Sequence, residues 1–362
     1  MAAWADDGLD TSGPTGDGQD NYGAGEQGCG CLKSDVDDHC ELVGTFRKIR
    51  TDATARSIFK LGSIIAMMTR GRLLLLVACF APISGAWADD GTLDRSGFEM
   101  GGRYWYSSGR IGYGYYGDTT TSLLVSRLTY EQLSANSGEI YVRGDTPWGI
   151  FAKGMIGAGS IGGGRLIDED FPPVTFPYSS TSSTTSGSLS YGTIDLGYGI
   201  VRQPNFRLGG FAGYGRWNED VTASGCIQLA SFPVCQPPFT IPTSVAVINE
   251  RDNWNLLRVG ATADLMLGEH VRLTADAAYV RALSQKAVDD HFFTFGVDPA
   301  SGSGNGFQLE AIAAYQFTNA FSLGIGGRWW HLNTNAIDSF QQLETYTVDR
   351  YGVFLQGAYR FN

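Results

Sequence analysis

The feature that most constrains this chain is a two-residue alternation running from about Gly97 to its end. In the last stretch Tyr351, Val353, Leu355, Tyr359 and Phe361 fall on one face, and Arg350, Gln356 and Arg360 on the other. Val271, Leu273, Ala275, Ala277 and Tyr279 oppose Arg272, Thr274 and Asp276 in the same way. Phe307, Leu309, Ala311, Ala313 and Tyr315 likewise oppose Gln308, Glu310 and Gln316. Successive side chains of a strand point to opposite faces, so the pattern specifies strands with one apolar and one polar side. A soluble sandwich would alternate too, and the connections separate the two architectures. Short turns at Pro204-Asn205, Leu267-Gly268-Glu269 and Thr318-Asn319-Ala320 alternate with longer polar stretches near 108–121, 161–189, 217–250, 285–303 and 334–345. Short turns at one end and long loops at the other suit a barrel with lipid outside and water inside.

The expected fold is therefore all-β: a transmembrane, antiparallel, up-and-down β-barrel of ten strands. They are placed at 97–107, 122–133, 150–160, 190–202, 207–216, 251–266, 270–284, 304–317, 321–333 and 347–361. An even count brings both termini to the periplasmic side and the long loops to the exterior. One periplasmic connection, about 134–149, is expected to be longer than the others.

Composition narrows the alternatives. Aromatic residues make up 12% of the chain, which excludes a disordered chain despite 49 glycines. A net charge of −11 excludes a nucleic-acid partner, since nothing offsets phosphate repulsion. Beyond Leu73–Cys79 there is no long apolar run, so a closed barrel is the remaining way to cross a bilayer. Residues 68–88 read as a signal peptide: Arg70 and Arg72 precede the apolar Leu73–Phe80, and Ala86-Trp87-Ala88 forms a small-x-small cleavage site. Cleavage there leaves 89–362 as the barrel domain, in the bacterial outer membrane. The low-complexity segment 1–67 precedes that signal, so translation is expected to start at Met67 or Met68, and the segment is given no function.

Cys226 and Cys235 are then the only cysteines of the exported part, nine residues apart in a polar loop. In an oxidising compartment they are candidates for one disulfide. Neither has a His or second thiol at zinc-ligand spacing, so no metal centre is expected there.

Two motifs could carry chemistry. Asp168-Glu169-Asp170 follows Gly162-Gly163-Gly164 at the outer end of the third strand, and Asp289-Asp290-His291 lies just past the seventh. Both strands run outward, so both motifs arrive at the same rim. In an extended chain, residues i and i+2 share a face. Asp168 and Asp170 then form a carboxylate pair able to hold a water or share a proton, and Asp289 orients His291 and stabilises its charged form. A His–Asp dyad facing two carboxylates could activate water for attack on a carbonyl. The ordinary alternative is a solvated acidic loop, and the same oxygens would also suit calcium.

At these residues the sequence resembles the omptins, ten-stranded outer-membrane endoproteases. Ser126-Arg127-Leu128-Thr129-Tyr130 resembles the family's Ser-x-Leu-Asp-Trp strand, and Gly162 through Phe171 its Gly-Gly-x-x-x-Asp-x-Asp-aromatic loop. Gln203-Pro204-Asn205-Phe206-Arg207-Leu208-Gly209, followed by Gly213-Tyr214, resembles its Glu-Pro-Asn-Tyr-Arg-Leu-Gly turn and next strand. The resemblance implies that Asp168, Asp170, Asp289 and His291 are catalytic, hydrolysing peptide bonds with an activated water and no covalent intermediate. It needs no metal or organic cofactor, leaves room for lipopolysaccharide as an activator, and implies a monomer acting on peptides or proteins outside the cell. Two pocket acids that select basic residues in this family fall on Tyr113 and Ala287, so an altered, non-dibasic preference (apolar or aromatic) is expected. Tyr214 matches a lipopolysaccharide contact, with Arg216 a substitute for another, while Asn218 and Asn253 stand where basic residues would hold lipid phosphates. The rivals are a non-enzymatic barrel, either adhesin or structural, and a diffusion pore. The second is disfavoured by a narrow lumen filled with side chains such as Arg272, Glu310 and Arg328.

Overall fold

The structure, a computed structural model, describes residues 96–361 except 120–122, 173–177, 183, 232–234, 236–239 and 294–295. The expected signal peptide and the segment before it lie outside the described residues.

Eleven strand segments form one antiparallel sheet that closes on itself. They are β1 Gly97–Tyr116, β2 Leu124–Asp145, β3 Ile150–Asp170, β4 Tyr178–Ser182, β5 Thr184–Arg202, β6 Phe206–Ser231, β7 Thr240–Leu267, β8 Val271–His291, β9 Gly296–Gln316, β10 Phe321–Ile337 and β11 Leu343–Phe361. β4 and β5 occupy one position in the ring: β4 pairs with the outer halves of β3 and β6, and β5 with their inner halves. The ring therefore has the ten positions that the alternation specifies, closed by β1 against β11.

The sheet is inside-out relative to a soluble domain. Phe98, Ile140, Ile156, Leu196, Val259, Ile325 and Leu355 are exposed on the outer face. Charged groups fill the lumen. Arg328 reaches Glu139 at 2.5 Å and Glu310 at 2.6 Å, Arg272 holds Glu99 at 2.8 Å, and Arg258 holds Asp195 at 2.9 Å. Among these side chains a cavity of about 80 Å³ remains, room for a handful of waters. An exposed apolar belt around an ion-paired polar interior is stable in lipid and unstable in water. No helix among the described residues is long and apolar enough to span a bilayer.

The strands are much longer than alternation alone suggested. β6 has 26 residues and β7 has 28, whereas a tilted strand crosses a bilayer in about 9–11. Most of the stretches expected as long loops are thus strand, rising as a wall beyond the apolar belt. The expected long connection at 134–149 is also corrected: β2 runs to Asp145, and the turn is only 146–149, closed by Thr146 N–H donating to the Ile150 carbonyl. That run seemed loop-like because its inward residues, Ser137 and Glu139, are polar, and because a bulge interrupts the alternation just before it.

Above the charged layer lies an aromatic one. Trp105, Tyr191, Trp217 and Trp330 make a chain of ring contacts with centroids 5.2–5.5 Å apart. Higher still, Tyr113, Tyr130 and Tyr346 are buried with Glu250, Asp252 and Glu344 beneath the outer rim.

Candidate active site

Three bulges decide what faces the rim. Along the lower part of β8 the even-numbered residues point inward, from Arg272 to Val280 and Ala282. Continued without interruption, this would turn Asp289 and His291 out of the lumen. Instead, the pairing with β7 and β9 slips between Ala282 and Gln285, leaving Leu283 as an extra, exposed residue. The parity reverses, and Gln285, Ala287 and Asp289 are buried inward. β2 and β3 show the same device. Their pairing shifts around Glu131–Ala135 opposite Ile161–Arg165, with Gln132 at φ 57° and Gly164 at φ 137°. Below the shifts odd-numbered Met155 and Ile161 face in; above them Leu166 is buried and Asp168 and Asp170 share its face. A Cβ on Gly164 would lie 2.7 Å from the Thr185 hydroxyl and 2.9 Å from the Glu131 carbonyl, so the glycine run before the aspartates serves this crossing.

The two motifs then meet electrostatically. His291 Nε2 lies 2.8 Å from Asp289 Oδ2. Burial alone would lower the His291 pKa, but the hydrogen bond and charge of Asp289, reinforced by Asp168 and Asp170, raise it above the usual imidazole value. Asp168 is pushed up to about 7 by removal from water and then by the adjacent Asp170, with His291 acting in the opposite direction. Asp170 is raised by burial against a hydrogen bond from Ser126, its cross-strand neighbour on β2, and the His291 charge. Each aspartate of β3 thus feels the imidazole of β8, although β4–β7 or β1, β2 and β9–β11 separate them around the ring. One partly protonated carboxyl, a second carboxylate and a His–Asp dyad form a set that can hold and deprotonate a water.

Sequence reasoning missed several neighbours. Tyr130 is fully buried, its hydroxyl has no hydrogen-bond partner, and the charges of Asp289, Glu250 and Asp168 all act on it. Its place in the Ser126–Tyr130 segment was the available signal. Glu250 is the cross-strand partner of Asp289 and Asp252 that of Ala287. Both are buried, each with one carboxylate oxygen lacking a partner. Nothing in their own strand marks them, because only the register with β8 puts them below the dyad. Tyr113 is buried and donates to Glu344 Oε2 at 3.0 Å, packing edge-on against Tyr346.

A second His–Asp pair, His331 Nδ1 to Asp349 at 2.8 Å, is on the outer surface, where His331 stacks on Phe307. Face, not residue type, separates it from His291. Tyr214 is exposed on the outer face and donates to Asn255 at 2.6 Å, with Arg216 exposed one step above it. Asn218 pairs with Asn253, which in turn pairs with the exposed Lys286, a cation that the linear sequence did not connect with this patch. Cys226, in the outer part of β6, is joined by a disulfide to Cys235 in the segment that follows that strand.

No family model and no curated protein matches this chain by sequence. Solved structures do. Outer membrane protease OmpT from Escherichia coli aligns over 73% of this chain and 96% of its own, at 17% identity and a TM-score of 0.58. Ail, the attachment invasion locus protein of Yersinia pestis, aligns over 73% and 98% at 11% identity, with a TM-score of 0.27. A major outer membrane protein from Thermus thermophilus aligns over 71% and 99% at 13% identity, also with a TM-score of 0.27. By fold, the chain is similar to the β-barrel of OmpT.

Proposed function

We propose that this protein is an outer-membrane endopeptidase of omptin type, hydrolysing peptide bonds at the extracellular mouth of the barrel. Water held between the Asp168/Asp170 pair and the Asp289–His291 dyad attacks the scissile carbonyl while His291 takes its proton, and the imidazolium returns that proton to the amine nitrogen as the C–N bond breaks. Asp289 orients the ring and offsets the charge it gains. No covalent intermediate forms. What supports this reading is that register shifts turn both motifs onto the inner face, where His291 lies 2.8 Å from Asp289 and close enough for its charge to act on both Asp168 and Asp170. The similarity of the fold to OmpT agrees with it.

Specificity differs from cutting between paired basic residues. Tyr113 and Ala287 take the two pocket positions, and neither can pair with an Arg or Lys side chain as a carboxylate would. One observation favours a second reading: Glu250 and Asp252 keep unpartnered carboxylate oxygens just below the dyad, so acidity displaced by one strand could still select a single basic residue. A randomised quenched-peptide library distinguishes the two. Apolar or aromatic enrichment supports the first, basic enrichment that disappears in Glu250→Gln supports the second.

Lipopolysaccharide would bind the outer wall at Tyr214 and Arg216, with Lys286 supplying a phosphate contact that Asn218 and Asn253 lack. The decisive experiment measures peptide cleavage by the refolded barrel with Asp168→Asn or His291→Ala. Removing either group should lower kcat/KM by on the order of 10²–10⁴-fold with heat-modifiable folding retained. Unchanged cleavage overturns the assignment. A wild-type barrel that cleaves nothing in the library, with lipopolysaccharide present, favours the adhesin or structural alternative.

A further inference from the structure

Beside the dyad, but outside the proposed machinery, three carboxylates converge, and none of them pairs with a basic side chain among the described residues. Asp298 of β9, Asp338 in the β10–β11 turn and Glu344 of β11 each offer one oxygen, and these oxygens lie within 4.8 Å of one another. Asp338 and Glu344 are almost completely buried, at 3% and 0% exposure, which sets them apart from an ordinary surface cluster.

Their hydrogen bonds follow one pattern. Asp338 Oδ1 accepts from the Phe340 and Gln342 backbone N–H groups at 2.9 and 2.6 Å, while Oδ2 is buried with no partner. Glu344 Oε2 accepts from the Tyr113 and Tyr346 hydroxyls at 3.0 and 3.4 Å, while Oε1 is buried with no partner. Asp298 Oδ1 accepts from the Ser339 hydroxyl at 2.8 Å. None of the ion pairs among the described residues involves any of the three. In each buried carboxylate the N–H or O–H donors hold one oxygen and leave the other free. Buried charges are ordinarily paired or coordinate a metal, and hard oxygen ligands with no sulfur or imidazole suit calcium.

We propose that Asp298, Asp338 and Glu344 bind one Ca²⁺ ion, whose remaining positions are filled by water and backbone oxygens. The ion ties β9 and the β10–β11 turn to β11 at the rim. Asp298 is the cross-strand partner of Asp289, so the clamp sits directly behind the dyad wall without contributing to it chemically. This inference is independent of the peptidase reading and is tested without measuring cleavage.

The test uses the refolded barrel in a zwitterionic detergent free of lipopolysaccharide and phosphate, titrated with Tb³⁺ under tyrosine excitation. Tyr113 and Tyr346 stand on Glu344 as built-in sensitisers. Saturable emission at one ion per barrel, displaced by Ca²⁺, is expected. Asp338→Asn should weaken Tb³⁺ at least tenfold with heat modifiability unchanged, and Asp168→Asn should leave binding within twofold of wild type. Ca²⁺ should also slow proteolytic nicking of the β10–β11 turn in the wild type but not in Asp338→Asn. Absence of saturable emission, or emission unaffected by Asp338→Asn, overturns the proposal. A drop caused equally by Asp168→Asn does so too, since it would move the ion to the other carboxylate pair.

Discussion

At the scale of single residues, the proposed site rests on the difference between groups that share a chemical type. Asp168 and Asp170 are two residues apart, yet burial and their mutual repulsion push Asp168 up to about 7. Such a pair can hold one proton between them near neutral pH. His291 is raised by its pairing with Asp289, which fixes the sign of the pH dependence. Water activation needs the neutral ring, so cleavage should rise with pH along a limb centred above the ordinary imidazole value of 6.5. Asp289→Asn removes the stabilisation of the charged ring, and the limb should move to lower pH while maximal kcat falls. A limb that stays in place in a kcat/KM profile would mean that His291 is not the titrating base. For folding, the sign is the reverse of that of a carboxylate whose pKa is lowered by a neighbouring cation. The Asp289–His291 pairing adds stability fully below the unfolded pKa and loses it as pH rises through the raised folded value.

At the scale of elements, the bulges matter more than the strands they interrupt. An uninterrupted β8 would keep Arg272 and Asp276 inside and carry His291 to the outer face; one extra residue at Leu283 reverses that. Deleting Leu283 should therefore abolish cleavage by turning Asp289 and His291 outward and Val288 and Asp290 inward. The barrel below Ala282 should still insert and show heat-modifiable migration. Cysteine accessibility reports the flip directly. A thiol placed at Val288 should react with a bulky reagent in the parent barrel and be protected after the deletion. Equal reactivity in both would show that the strand reabsorbs the change elsewhere. The glycine run at 162–164 gives the same service on β3, where a left-handed Gly164 accommodates the crossing beside Gln132.

At the scale of the whole molecule, ion pairs among the described residues cross-link the lumen and leave a cavity of about 80 Å³ between them. Arg328 has no exposed side-chain surface and is shared by Glu139 and Glu310, and Arg103 adds a contact to Glu310 at 3.1 Å. Planar-bilayer recordings of the wild-type barrel should show no steady conductance. Arg328→Ala removes the cation nearest to both carboxylates and leaves them Arg103, 3.7 Å from Glu139 and 3.1 Å from Glu310. Breaking a buried pair in this way costs about 3–5 kcal/mol, so the urea midpoint should fall and flickering conductance should appear. Steady single-channel current from the wild type would reinstate the pore reading.

Much of this was legible in the sequence because the bilayer enforces it. Lipid outside and a polar lumen inside require strict alternation, which Leu273 through Tyr279 and Val353 through Phe361 show openly, and a closed ring with short periplasmic turns requires an even strand count, which the series of turns shows. The motifs at 168–170 and 289–291 were also legible, since i, i+2 spacing puts each pair on one face whatever that face is. Which face could not be read, because alternation has no absolute phase and a one-residue bulge resets it without changing composition. The carboxylates of Glu250 and Asp252 below the dyad, and the meeting of Asp298, Asp338 and Glu344, depend on register between strands far apart in sequence. Pairing across the closed sheet decided these, for the physical reason that hydrogen-bonded register is a property of two strands together.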